Sequence, residues 1–171
     1  IGGPVENLGV TATIEPCMAV SVMTIPVGEE VRGDALRTNQ PFRETGQSRY
    51  TCSLEFKALK RPGVVDANRY IVIIVFSNCS HWSVVCSTEG LESEDDFIPP
   101  ERLYVKSYYT DPSVDEGAGP GYESLSTPKV IAKGGTARGF IYKSYYRMKA
   151  TWEDRPGSYD GLLKLTVLPE P

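Results

Sequence analysis

Residues 70–76 read Tyr-Ile-Val-Ile-Ile-Val-Phe, an unbroken run of β-branched and aromatic side chains. Such side chains favour strands, and a run that is apolar on both faces is typical of a strand buried inside a sheet. The run is far shorter than the roughly 20 residues that a membrane-spanning helix needs. It therefore predicts a central strand of a folded domain and argues against insertion into a membrane.

Further strand-like segments lie on both sides of this run. They are residues 17–25, 49–57, 82–86, 103–109, 130–131, 140–152 and 162–168, which are either β-prone and apolar or alternate between apolar and polar side chains. Turns rich in Gly and Pro separate them, and no segment keeps a helical period over three turns. About eight or nine strands in this arrangement predict an all-β sandwich.

The chain has 171 residues, enough for one domain with a sizeable core, and a formal net charge of −4. The mild negative charge argues against nucleic-acid binding, which usually requires a clustered basic face.

The four cysteines contain no CxxC pair, and His81 is the only histidine, so a zinc site is not expected. Two disulfides fit better and favour an oxidising compartment, with free buried thiols in a cytosolic protein as the alternative. Chain order suggests Cys17–Cys52 and Cys79–Cys86, although four cysteines allow three connectivities.

The first sixteen residues contain a second strong strand signal. Leu8, Val10, Ala12 and Ile14 alternate with small or polar residues, and Glu15-Pro16 closes the run. The pattern predicts a strand with one apolar face. It has two interpretations, namely a strand donated to another chain or the ordinary first strand of a self-contained sandwich.

Residues 5–16, VENLGVTATIEP, resemble the N-terminal extension of pilins of the chaperone–usher fimbriae, especially the colonisation-factor and cable-pilus group. Those extensions follow the form V-x-x-[aliphatic]-x-V-T-A-x-[aliphatic]-[acid]-P. Residues 156–167, PGSYDGLLKLTV, resemble the last strand of the same family, in which a G-x-Y turn precedes aliphatic alternation. The cysteines depart from that group, and the spacing of Cys17 and Cys52 is closer to the disulfide of classical or spore-coat-like archaic pilins.

The resemblance implies an immunoglobulin-like sandwich that lacks its final strand and is completed by a donor strand. It divides the chain into a donor-strand extension, residues 1–16, and a pilin domain, residues 17–171. It also implies export through the periplasm to the cell surface. The implied partners are a periplasmic chaperone, an outer-membrane usher, neighbouring copies of this or related pilins, and a host receptor.

The resulting expectation is a structural subunit of a fimbria that supports adhesion and is not an enzyme. The apolar side chains expected to fill pockets of the neighbouring subunit are those of Leu8, Val10, Ala12 and Ile14. A second interpretation is a self-contained, secreted adhesin or lectin-like sandwich that binds a host glycan or protein. A third, a secreted hydrolase, lacks a recognisable catalytic constellation.

Two sets of residues are candidates for receptor binding. Arg32-Gly33-Asp34 spells the integrin-recognition tripeptide in a polar loop, although a tripeptide of this kind also arises by chance. Exposed aromatic side chains, with Tyr108, Tyr145 and Trp152 as candidates, offer faces on which a glycan can stack.

Neither a metal site nor a nucleophilic site is predicted, and no cofactor is expected. The acidic residues between Glu92 and Asp96 lack the spacing of a calcium loop and favour a solvated surface. No Gly-x-Ser-x-Gly elbow occurs, and the neighbours Cys79 and His81 lack the arrangement of a thiol–imidazole pair.

Overall fold

The structure, a computed structural model, describes residues 9–15, 17–31, 48–52, 54–107, 119 and 121–170. Within these ranges the strands are β1 (Met18–Pro26), β2 (Ser48–Cys52), β3 (Gly63–Asp66), β4 (Arg69–Ser77), β5 (His81–Thr88), β6 (Leu91–Glu92), β7 (Phe97–Ile98), β8 (Leu103–Ser107), β9 (Glu123–Ser124), β10 (Lys129–Gly134), β11 (Ala137–Ala150) and β12 (Leu163–Glu170). One 3₁₀ turn, Pro100–Arg102, precedes β8. The predicted all-β sandwich is confirmed.

Two antiparallel sheets form the sandwich. The first has the order β1-β4-β11-β8-β9, and β3 also pairs with β11. The second has the order β10-β5-β12-β2, so the last strand is hydrogen-bonded on both sides. The short strands β6 and β7 form a separate hairpin. In the described part of the chain, β1 is an edge of the first sheet, and β2 and β10 are the edges of the second.

The predicted central strand is β4, which lies between β1 and β11. Its alternate side chains Ile71, Ile73 and Val75 point into the space between the sheets, where each is at most 1% exposed. They pack with residues of both sheets, among them Met18, Val20, Trp82, Val84, Val105, Leu165 and Val167. The main core therefore lies between the sheets, as the sequence pattern predicts.

The other face of β4 is buried as well. Tyr70, Val72 and Ile74 form a second cluster, against which Met23 and Tyr145 pack. The Tyr70 ring stacks on Tyr145 with 5.0 Å between ring centroids, and its hydroxyl donates a hydrogen bond to the Glu29 carbonyl at 2.6 Å. This double burial explains why residues 70–76 are continuously apolar and do not alternate.

The two predicted disulfides are corrected by the structure. Cys86 lies in the middle of β5, five strand residues or about 16 Å beyond His81, and Cys79 precedes that strand. A disulfide needs Cα atoms within about 7 Å, so Cys79–Cys86 does not form. Cys17 has a free thiol, so its predicted bond to Cys52 is also not present; the side chain of Cys52 itself lies outside the described residues.

Among the described residues, no helix is both long and apolar enough to cross a membrane.

Candidate functional site

The segment 9–15 projects from the sandwich without joining it. It belongs to no strand, and all its residues are exposed. Val10 is 91% exposed and Ile14 is 84% exposed, and no atom lies within 4 Å of the position that a Cβ on Gly9 would take. The described part of the extension is therefore not the first strand of the sandwich. That was the alternative to a donated strand in the interpretation of residues 1–16. Leu8, the first of the four predicted donor residues, lies outside the described residues, and Ala12 is exposed with Val10 and Ile14.

Asn78, directly after β4, attaches the base of this extension to the domain. Its Oδ1 accepts a hydrogen bond from the Cys17 backbone N–H at 2.5 Å, and its Nδ2 donates one to the Glu15 carbonyl at 3.0 Å. The Asn78 backbone N–H also donates to the Cys17 carbonyl at 3.1 Å. One amide side chain thus binds both sides of residue 16, which fixes where the extension leaves the sandwich.

An apolar cleft opens between the sheets near the beginning of β12. It is small, with a cavity volume of about 30 Å³, and is lined by Leu54, Phe56, Leu91, Leu103, Leu125 and Leu163, among others. Arg147 also lines it, and the guanidinium lies 4.0 Å from the centroid of the Tyr122 ring. Arg147 Nε donates to Asp66 Oδ1 at 2.5 Å, and this hydrogen bond raises the pKa of the guanidinium. Because Asp66 balances that charge, the cleft is suited to an apolar side chain more than to a charged ligand.

The loop between β11 and β12 is held by two acidic side chains. Asp96 accepts hydrogen bonds from the Arg155 N–H at 2.8 Å and the Tyr159 hydroxyl at 2.7 Å, and its Oδ1 accepts one from the Phe97 N–H at 2.8 Å. In that order of importance, these bonds lower the pKa of Asp96 from 3.8 to about 2. The acidic run that contains Asp96 therefore includes a structural anchor.

The second anchor of this loop is an ion pair. Arg102 donates two hydrogen bonds to the Asp154 carboxylate, at 2.6 and 2.7 Å, and Asp154 also accepts the Thr151 N–H at 2.7 Å. Both side chains are largely shielded, with 19% and 11% exposure. The bonds from Arg102 lower the pKa of Asp154, and burial opposes them. Trp152, which lies in this loop between Thr151 and Asp154, is 85% exposed.

The predicted receptor residues are not brought together. Tyr145 lies in β11 and stacks on Tyr70, whereas Trp152 follows the end of that strand. Tyr145 and Ala150, the last residue of β11, are about 16 Å apart at the usual rise per strand residue. Tyr145 and Trp152 therefore do not form one stacking surface. Tyr108 and the tripeptide Arg32, Gly33 and Asp34 lie outside the described residues.

No group of three or more His, Cys, Asp or Glu side chains among the described residues is arranged to hold a metal ion. His81, the first residue of β5, is exposed, and the next residue, Trp82, is buried. Cys79 is buried, and its N–H donates to Ser77 Oγ at 2.9 Å, which is a local turn contact.

Sequence reasoning did not identify Asn78, Asp96, Arg102 or Asp154. Each acts by hydrogen bonds to residues more than fifty positions away, such as Asn78 to Cys17 and Arg102 to Asp154. No local period marks such contacts. Asn78 carries one weak signal, since it is a polar residue two positions after the most apolar run of the chain.

No protein-family model, curated protein or solved structure is significantly similar to this chain.

Proposed function

We propose that this chain is a structural subunit of a bacterial surface fimbria and that it assembles by donating its N-terminal extension to a neighbouring subunit. The observation that carries the proposal is the exposure of Val10 and Ile14, which alternate on one face of a segment with no strand partner. The resemblance of residues 5–16 to pilin extensions points in the same direction. The proposed role is structural and not enzymatic.

The physical basis of such assembly is β-strand addition. An extended segment gains backbone hydrogen bonds along the edge of a sheet, and its alternate side chains enter apolar pockets. Burying Val10 and Ile14 would contribute roughly 3–6 kcal/mol before the cost of ordering the extension. The hydrogen bonds of Asn78 to Glu15 and Cys17 support this role, because they leave the segment free while fixing its point of attachment.

The proposal includes the partners that such a pathway requires. A periplasmic chaperone would cover the apolar acceptor surface before assembly, and an outer-membrane usher would bring successive subunits together. The assembled subunits, an immunoglobulin-like sandwich completed by each neighbour, would then lie at the cell surface. An uncovered acceptor edge would otherwise associate non-specifically, which is why a covering partner belongs to the proposal.

The direct test is electrophoresis of the purified protein, with and without boiling in detergent, beside a variant that lacks residues 1–16. We expect a ladder of oligomers that survives cold detergent, collapses on boiling and is missing from the truncated variant. The matched control is the Trp152→Ala variant, since that side chain lies outside the extension and is 85% exposed, so its loss should leave the ladder unchanged. A single monomer band from the intact protein would refute the proposal.

A second candidate function is that of a self-contained adhesin or lectin-like module. The observation in its favour is Trp152, an 85% exposed indole on a loop that the Arg102–Asp154 pair fixes. An exposed aromatic ring held in place offers a stacking face for a sugar or an anchor for a protein. Glycan and integrin screens with the Trp152→Ala variant as control test this candidate, which fails if both proteins bind the same ligands equally.

A further inference from the structure

Three loops meet at one end of the sandwich, which we call the loop end. It consists of residues 57–62, 92–97 and 151–155. Ala150, the last residue of β11, pairs with Gly63, which directly follows the first of these loops. The Arg155 backbone N–H donates a hydrogen bond to Asp96 in the second loop at 2.8 Å. Trp152 therefore lies between two flanking loops, since residue 150 is fixed beside one of them and residue 155 is fixed to the other.

The two flanking loops carry opposite charges. The first has three cations and the second has three carboxylates besides Asp96, namely Lys57, Lys60 and Arg61 against Glu92, Glu94 and Asp95. All six residues are exposed, and none forms an ion pair with another residue that the structure describes. The two charges next to Trp152, those of Glu153 and Arg155, cancel. The loop end thus has a basic side and an acidic side whose charges are not paired within the described chain.

Each of the three loops also exposes one large apolar side chain. Trp152 is 85% exposed, Phe97 is 44% exposed and Leu59 is 40% exposed. The loop that carries Trp152 is already held in place by the hydrogen bonds of the Asp154 carboxylate, so it has little conformational entropy left to lose when a partner binds. A fixed, exposed aromatic ring surrounded by polar residues is typical of the centre of a protein–protein interface.

We propose that the loop end is a self-association surface, at which two copies of this chain meet about a two-fold axis close to Trp152. Such an axis turns the basic loop of each copy onto the acidic loop of the other, so the same attractive contact forms twice. The charges argue for this partner. A partner of one charge sign would be attracted by one side of Trp152 and repelled by the other, whereas a second copy complements both sides.

The loop end is remote from the N-terminal extension. The extension leaves the domain beside Asn78, next to Ser77, which pairs with Ala137 at the beginning of β11. The loop end follows the last residue of that strand, fourteen residues on, which is roughly 40 Å at the usual rise per strand residue. The proposal therefore does not rest on the proposed function, and the two can be tested separately.

The test is a charge swap in the full chain. One triple variant reverses the basic loop (K57E, K60E, R61E) and the other reverses the acidic loop (E92K, E94K, D95K). Self-association is followed by the emission of Trp152, which shifts to shorter wavelength on burial, whereas the other tryptophan, Trp82, is already 2% exposed. For the unchanged protein we expect this shift with rising concentration, and a weaker association at high ionic strength because salt screens exposed charges.

Each triple variant alone should need at least about tenfold more protein for the same shift, because like charges then face each other twice. An equimolar mixture of the two variants should associate as the unchanged protein does, since every reversed loop again meets the opposite charge. Lys133→Glu, at an exposed position of β10, is the control and should have no effect. Thermal unfolding checks that each variant is folded, and Lys60→Glu with Glu94→Lys replaces any triple variant that is not.

Two results would overturn the assignment: an emission that does not change with concentration, or a mixture that associates no better than either variant alone. Electrophoresis in cold detergent separates this outcome from that of the proposed function, because an exposed contact between charged loops does not survive detergent. A detergent-resistant ladder without the emission shift leaves the proposed function standing and removes the loop-end assignment. An emission shift with rescue in the mixture, but without a ladder, does the reverse.

Discussion

Ile14 is the side chain whose truncation separates assembly from folding most clearly. It is 84% exposed in the isolated chain, so Ile14→Ala should change the free energy of unfolding by less than about 0.5 kcal/mol. If the side chain is buried in a neighbouring subunit, losing three carbon atoms at about 0.8 kcal/mol each costs roughly 2 kcal/mol of association. The concentration needed for half-assembly should then rise roughly 30-fold.

The assay pairs urea unfolding of the monomer with light scattering of the assembling protein. The matched control is Ile73→Ala, the same truncation at a side chain that is 1% exposed. That variant should lose about 2–5 kcal/mol of unfolding free energy, because a cavity remains in the core between the sheets. The reasoning is refuted if Ile14→Ala destabilises the monomer as Ile73→Ala does, or if it leaves assembly unaffected.

Two further predictions concern the loop beside the cleft. Gly161→Ala should lower the free energy of unfolding by about 1–3 kcal/mol, because the new Cβ would lie 2.3 Å from the Gly90 carbonyl oxygen. The control, Gly9→Ala, should leave the free energy of unfolding unchanged, because nothing lies within 4 Å of its Cβ position. Thermal unfolding of the two variants tests this difference. The free energy of unfolding should also fall as the pH drops from about 4 to 2. The pKa of Asp96 is about 2 in the folded protein and 3.8 ordinarily, so the stabilisation from its ionised carboxylate is present in full above this pH range and is lost as the pH falls through it. In Asp96→Asn the acid-induced loss over this interval should be smaller, as urea unfolding at several pH values would show; an unchanged pH dependence would count against the anchoring role.

The strands were predictable where a local pattern sets burial. Residues 70–76 predict β4 because both its faces are buried, and residues 162–168 predict β12 because their alternation matches one core-facing side. The opening run was different. The alternation of Val10 and Ile14 predicts a strand equally well with or without a partner in the same chain, so the sequence alone left both interpretations open.

Side-chain pairing was the least predictable feature. Chain order suggested bonding Cys79 to Cys86, but a continuous strand β5 begins between them and carries Cys86 away. Likewise, the acidic run around Asp96 favours a solvated loop, yet the Asp96 carboxylate accepts hydrogen bonds from Arg155 and Tyr159, about sixty positions away. Such contacts depend on how the loops meet at the end of the sandwich, and no period or spacing along the chain encodes this.

Amide hydrogen exchange of residues 9–15 in the assembled protein tests the central claim most directly. In the dilute monomer these amides should exchange at the rates of an unstructured peptide, because the segment belongs to no strand. In the assembled protein the same amides should be strongly protected, as members of a hydrogen-bonded ladder. Rapid exchange of residues 9–15 in assembled protein would contradict the account, since the extension would then not be the element that joins one subunit to the next.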